Sequence, residues 1–194
     1  MKNYFRQIMH MIDTSVDSMD LEVFEKLVED CYQTLKNGGK IIASGLGKNV
    51  PVCDKFVGTM NSLGMNATFM NTNNAVHGDL GMIKDEDLVI VLTKSGETAE
   101  SIYLTKFLKD RNANIWLLSF QKESTLTQEI PKHLILKLEH EGDPWNIVPN
   151  NSTTVNLIVL QGLAISLAER MGITLQQFKC NHPGGFIGEQ LKNV

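Results

Sequence analysis

The run Leu88-Val-Ile-Val-Leu-Thr93 constrains the fold more than any other segment of this chain. Its residues are apolar at consecutive positions, so both faces of the extended chain must be covered. A strand with one wet face would alternate apolar and polar residues instead, so this one reads as the centre of a parallel sheet. Other β-rich runs lie at 40–46, 67–70, 115–119 and 134–138. Helical stretches fit between them near 50–64, 98–111 and 122–130. Such alternation predicts an α/β protein, its parallel sheet covered by helices on both faces.

The flanks are helical by spacing. Phe5, Ile8, Met9, Ile12 and Val16 recur at helical intervals, as do Leu21, Phe24, Leu27, Val28, Cys31 and Leu35 before Asn37-Gly-Gly stops the pattern. Residues 1–37 therefore form a helical pair, and 38–194 an αβα core with C-terminal helices. No repeat, low-complexity stretch or Pro/Gly-rich linker divides them, so 1–194 reads as one domain. The stretch 152–171 is nearly all apolar from Val155 to Ala168, a helix buried in the core or in a subunit interface. Thr174 and Gln177 are spaced as a capping box, and 181–188 holds too many glycines to be helical throughout.

Charge excludes some functions. The net charge is -4, and the helical pair carries four basic against seven acidic side chains, the wrong sign for nucleic acid. No apolar run approaches the ~18 residues of a membrane span. Arg6, His10 and Asp13 interrupt the opening segment, which therefore lacks a signal-peptide core. Cys31, Cys53 and Cys180 lack zinc-binding spacing and read as free, buried thiols in the cytoplasm.

In open parallel sheets, ligands bind at the carboxyl ends of the strands. Two loops there can carry chemistry. Gly45-Leu-Gly-Lys48-Asn49 follows the first strand, but lacks the third glycine of a dinucleotide fingerprint and is not a P-loop. Thr93-Lys94-Ser95-Gly-Glu-Thr98 runs straight into a helix. A cap needs one hydroxyl; three, with a lysine at a helix N-terminus, point to phosphate. Nothing in this motif calls for a metal or a nucleotide, so no cofactor is expected. The acid–base candidates are His77, Glu100, Glu141 and His182. Glu100 and Glu141 both follow strand ends beside the phosphate loop, which suits proton transfer on a phosphorylated small molecule. A carboxylate used as a base near neutral pH is expected to have a pKa raised by desolvation.

These motifs resemble the sugar isomerase (SIS) domain family, and within it the arabinose-5-phosphate isomerases. The narrower match rests on His77-Gly-Asp-Leu-Gly-Met82, Ser95-Gly-Glu-x-x-Glu100, Pro149-x-x-Ser-Thr-Thr154 and His182-Pro-Gly-Gly-x-x-Gly188. The resemblance implies a three-layer, flavodoxin-like αβα sandwich around five parallel strands, and a homodimer or homotetramer with shared active sites. It places phosphate at Thr93, Ser95 and Thr98, with Lys94 and Asn49 alongside. It places substrate-binding or catalytic roles at Lys48, His77, Glu100, Glu141 and His182. The implied reaction interconverts D-ribulose 5-phosphate and D-arabinose 5-phosphate through a cis-enediol. Isomerisation of another sugar phosphate, such as a hexulose 6-phosphate, and a non-catalytic sugar-phosphate sensor are the alternatives. Full-length relatives often carry CBS domains; this chain ends at Val194, so regulation through them is expected to be absent. The family reads Gly-Lys-Ser-Gly where this chain has Gly47-Lys-Asn-Val50, and Lys94 replaces an uncharged polar residue. Asn49 can donate through its amide, but Val50 would resist a left-handed backbone. Trp145-Asn146 replaces smaller apolar residues and bears on which sugar is bound.

Overall fold

The computed structural model describes residues 1–193. Two helices, α1 (Lys2–Asp17) and α2 (Leu21–Lys36), open the chain. Asp20 starts α2 by accepting hydrogen bonds from the amides of Glu22 and Val23. The predicted alternation follows, beginning with β1 (Ile41–Gly45), α3 (Asn49–Ser62) and β2 (Ala67–Asn71). A short helix, α4 (Thr72–Ala75), and a 3-10 turn (Asp79–Met82) then lead to β3 (Leu88–Leu92). Next come α5 (Ala99–Lys109), β4 (Asn114–Ser119), α6 (Thr125–Glu129) and β5 (His133–Ile135). The chain closes with α7 (Asn151–Arg170), α8 (Leu175–Cys180), α9 (Gly185–Gln190) and a 3-10 turn at Leu191–Asn193.

All five strands are parallel, in the order β2-β1-β3-β4-β5. Alternate residues feed two separate cores. Ile41, Ala43, Leu88, Ile90, Leu92 and Leu118 pack with α2, α3 and α7 on one face. Ile42, Val89, Val91 and Leu117 pack with Leu104 and Leu108 of α5 and Leu126 of α6 on the other. Every residue of β1 and β3 is buried, as a strand under helices on both sides must be. This is the expected three-layer sandwich.

Three details differ from the sequence reading. β5 is shorter than expected, pairing with β4 only along Leu117–Ser119. As expected, 181–188 is not helical throughout: α9 begins only at Gly185, and Gly188 within it is needed for close packing, since a Cβ there would come within 2.8 Å of the His182 carbonyl oxygen. Cys180 is exposed, although Cys31 and Cys53 are buried. Burial raises the Cys31 thiol pKa far above its ordinary value and pushes Cys53 up to about 12, so both are inert packing groups. Finally, α7 is by length and composition apolar enough to cross a membrane. Half of its apolar stretch is buried within this chain, where Val155, Leu160, Leu163 and Leu167 complete the first core.

Candidate active site

The strand order fixes where a cavity must open. From β1 the chain turns through α3 toward β2, and α3 packs on one face of the sheet. From β3 it turns through α5 toward β4, and α5 packs on the opposite face. The carboxyl ends of the neighbouring strands β1 and β3 therefore feed loops that diverge, leaving the crevice typical of a switch point. A cavity of about 220 Å³ lies there, lined by residues 46–49 after β1, by Leu92–Ser95, Thr98 and Ser101, and by Pro149, Ser152, Thr153 and Asn156 at the start of α7.

Each wall is held by local chemistry. After β1, Gly47 adopts φ +55, and the lack of a side chain at Gly45 lets α3 sit down on the strand end. A Cβ at Gly45 would lie 2.9 Å from Asn49 Cβ. Lys48 is exposed and lines the cavity. Val50 needs no left-handed backbone, because it lies in the first turn of α3; Asn146 is the positive-φ non-glycine residue among those described. Asn49 accepts a hydrogen bond from Asn156 Nδ2 at 3.1 Å, which ties α3 to α7 across the cavity. The Oδ1 of Asn156 is buried without a partner.

The second wall is a folded turn. Thr93 Oγ1 accepts from the Gly96 amide at 3.0 Å, and Ser95 Oγ from the Glu97 amide at 3.1 Å. Both hydroxyls keep a proton to donate. Thr98 is the first residue before α5 but makes no capping bond, so its hydroxyl is not used in holding the helix. Gly96 lies at φ +69 with Ser124 packed where a Cβ would be. Its carbonyl accepts from the Leu126 amide, while the Glu97 carboxylate accepts from the Thr125 amide and hydroxyl, each at 2.8 Å. The loop is thus fastened to the start of α6. Two helix starts, α3 and α5, point at the same cavity, but only α5 offers free amides there: at α3 the Asn49 and Val50 amides donate to the Leu46 and Gly47 carbonyls, and Pro51 has none.

Glu141 lies behind the third wall. Its carboxylate is fully buried and accepts from the Asn150 and Ser152 amides at 3.0 and 2.9 Å, from Ser152 Oγ at 2.7 Å, and pairs with Lys94 Nζ at 2.7 Å. It thereby serves as the cap of α7, since Asn150, the residue before that helix, makes no side-chain capping bond. Burial alone would raise its pKa, but Lys94 and the donors from Ser152 and Asn150 outweigh it and hold the carboxyl below its ordinary range. For Glu141 this reverses the expected upward shift.

The predicted acid–base groups do not all meet. Lys48, Asn49, Thr93, Lys94, Ser95 and Thr98 line the cavity together. Glu100 is exposed in the first turn of α5, beside Ser101 but outside the lining. His77 is exposed after α4, at the same end of the sheet. His182 lies elsewhere. Its Nδ1 faces the Phe178 carbonyl at 2.8 Å, its Nε2 faces Ser62 Oγ at 2.9 Å, and its ring stacks on Phe178. Ser62 ends the helix that Asn49 begins, so ~20 Å of α3 separates His182 from the cavity. Sequence reasoning missed Ser101 and Asn156, whose helical neighbours gave no reason to single them out. Among the described residues, no group of three or more His, Cys, Asp or Glu is placed to hold a metal ion.

Comparison with known proteins fits this geometry. The chain is 34% identical over 177 residues to arabinose 5-phosphate isomerase KdsD of Pseudomonas aeruginosa, covering 91% of this chain and 54% of that protein. It is 33% identical over 173 residues to the KdsD of Escherichia coli K12, covering 89% of this chain and 53% of the relative. The chain thus spans about half the length of the curated relatives it matches. A solved structure of E. coli CFT073 c3406 in complex with arabinose 5-phosphate superposes with a TM-score of 0.87 at 28% identity, covering 94% of this chain and 95% of that one. The model of the SIS domain matches residues 34–167, more than half of the chain and all five strands, and on that match the chain belongs to the SIS domain family.

Proposed function

We propose that this chain is an aldose–ketose isomerase of a phosphorylated sugar, interconverting D-ribulose 5-phosphate and D-arabinose 5-phosphate. The observation that carries the reading is one cavity on which two strand-end loops, the three hydroxyls of the Thr93–Thr98 turn, the start of α5 and two lysines converge. That set is complementary to a phosphomonoester: hydroxyls and the free amides at the start of α5 donate, while Lys48 and Lys94 supply charge. The likeness to KdsD proteins and to a structure holding arabinose 5-phosphate supports the choice of sugar.

In this reading the phosphate is anchored at Thr93, Ser95 and Thr98, with Lys94 and Asn49 alongside. The open-chain sugar then extends from a fixed end, which brings its C1 and C2 to one place in every complex. A base removes the C2 proton of the aldose, giving a cis-enediol, and returns a proton at C1. A second group moves a proton between the two oxygens. Lys48 stabilises the developing enediolate charge. Glu100 and His77 are the acid–base candidates of the same chain. His182 is docked at the far end of α3, so it would serve the site of another copy, in a homodimer or homotetramer with shared sites. Exposed Ile158 and Ile165 on α7 offer an apolar face for such an assembly. Three free cysteines favour a reducing compartment, the cytoplasm.

Incubation in D₂O with arabinose 5-phosphate, ribulose 5-phosphate and other sugar phosphates, followed by NMR, tests the reading. The expected result is loss of the C2–H signal of arabinose 5-phosphate with appearance of ribulose 5-phosphate. Tight binding of a sugar phosphate with no exchange would overturn the isomerase in favour of a sensor.

A further inference from the structure

The carboxylate of Glu141 has about four lone-pair positions, and four donors take them: two backbone amides, one hydroxyl and one ammonium. It is wholly buried and does not line the cavity. A base must present a free lone pair to a C–H bond, and Glu141 can do so only by giving up one of these donors. Lys94 is in the opposite position. Its side chain is 41% exposed and lines the cavity, and an ammonium has three donors, of which Glu141 uses one. A free lysine side chain in a loop would lose much rotamer freedom on binding an anion; one already held at 2.7 Å by a fixed carboxylate loses less. The carboxylate is itself fixed at the start of α7, so Lys94 and the α7 residue Ser152 are placed by one group.

We propose that Glu141 is a positioning residue that acts through Lys94, and that Lys94 so held is the second cation, with Lys48, for the phosphate of the substrate; this rests on the phosphosugar reading of the same cavity. Glu141 then contributes to binding the anion and not to removing the C2 proton, a task left to groups that reach the sugar.

The test is a double-mutant cycle of Glu141→Gln, Lys94→Met and the double variant. It is read as the Kd for inorganic phosphate by calorimetry and as kcat and KM on the sugar phosphate that exchanges. Each single change is expected to weaken phosphate binding about tenfold, the scale of one lost charge-assisted hydrogen bond. The double variant should be no more than about twofold weaker than Lys94→Met, because the two residues act as one. The loss should fall on KM more than on kcat, with the acid limb of the pH–rate profile unmoved in Glu141→Gln. Glu141→Gln that binds phosphate like the wild type but loses kcat about a hundredfold, together with the acid limb, would make Glu141 the base and overturn the proposal. Additive losses would overturn it too. Should Glu141→Gln fail to fold, Lys94→Met and Lys94→Arg decide: wild-type phosphate affinity in Lys94→Met refutes the clamp, and recovery in Lys94→Arg supports it. A wild-type protein that exchanges no sugar proton yet shows the non-additive phosphate cycle would sink the isomerase and keep the clamp.

Discussion

Asp87 and Glu141 are assembled from the same parts at opposite ends of the sheet. Asp87, just before β3, is buried and accepts from the Lys40 and Lys84 amides at 2.9 and 2.8 Å and from Lys40 Nζ at 2.6 Å. Glu141, beyond β5, is buried and accepts from two amides, a hydroxyl and a lysine. In both, burial pushes the pKa up, and the lysine and the other donors pull it down further than burial raises it. The difference lies in the lysine. Lys40 is 17% exposed and spent on closing the join between β1 and β3, whereas Lys94 is 41% exposed and opens on a cavity. The same kind of ion pair is a structural clasp where its cation has nowhere else to point, and leaves its cation facing an open cavity where it does.

The comparison can be broken most forcefully at its structural end. Asp87→Ala leaves Lys40 without its partner and two amides without an acceptor, and is expected to cost about 3–5 kcal/mol in urea unfolding. The phosphate affinity of the folded fraction should stay within about twofold of wild type, since neither Asp87 nor its partners line the cavity. A parallel loss of affinity would show that the two ends are not independent.

Glycines sharpen the contrast within the site itself. Gly96→Ala meets both a left-handed backbone and the Ser124 side chain, whereas Gly47→Ala meets only the backbone cost, with open space around it. The backbone cost is about 1–2 kcal/mol for each. Gly96→Ala should lose more than that in thermal unfolding and weaken phosphate binding; equal losses in the two variants would refute the packing argument. A smaller effect lies in acid. Asp87 and Glu141 both have lowered folded-state pKa values, so their contribution is present above the unfolded carboxylate range and is lost as pH falls through the folded values. Glu141→Gln should flatten the acid limb of stability relative to wild type; an unchanged limb would mean that Glu141 carries no charge-linked stability.

Much of the fold was legible in the sequence, for identifiable reasons. β3 is apolar at five consecutive positions, too short a run for a helix and bounded by polar residues on both sides, and β1 is a similarly short β-rich run ending at glycine. Thr174 and Gln177 do form the capping box that their spacing predicts. The Thr93–Thr98 loop could be singled out as a candidate anion site because its hydroxyls, glycine and lysine are contiguous. What could not be read was whatever depends on distant segments meeting. Glu141 and Lys94 are far apart in sequence, and nothing local shows that one saturates the other. The same holds for His182, whose motif is recognisable but whose docking on Ser62 depends on how α8 meets the end of α3. The helix at Thr72–Ala75 is four residues long and begins with an Asn71 side chain bonded to the Asn73 amide, a signal too short for periodicity to register.

The stapling of the Thr93–Thr98 turn to α6 has a thermodynamic consequence. Its donors are already oriented by Gly96, Glu97 and Ser124 before any anion arrives. Ligand binding therefore orders little backbone, and the amides of this loop should exchange with deuterium at nearly the same rate with phosphate as without it. On the proposed reading, affinity is then set by how well the anion matches a finished mould, not by how much chain it must gather around itself.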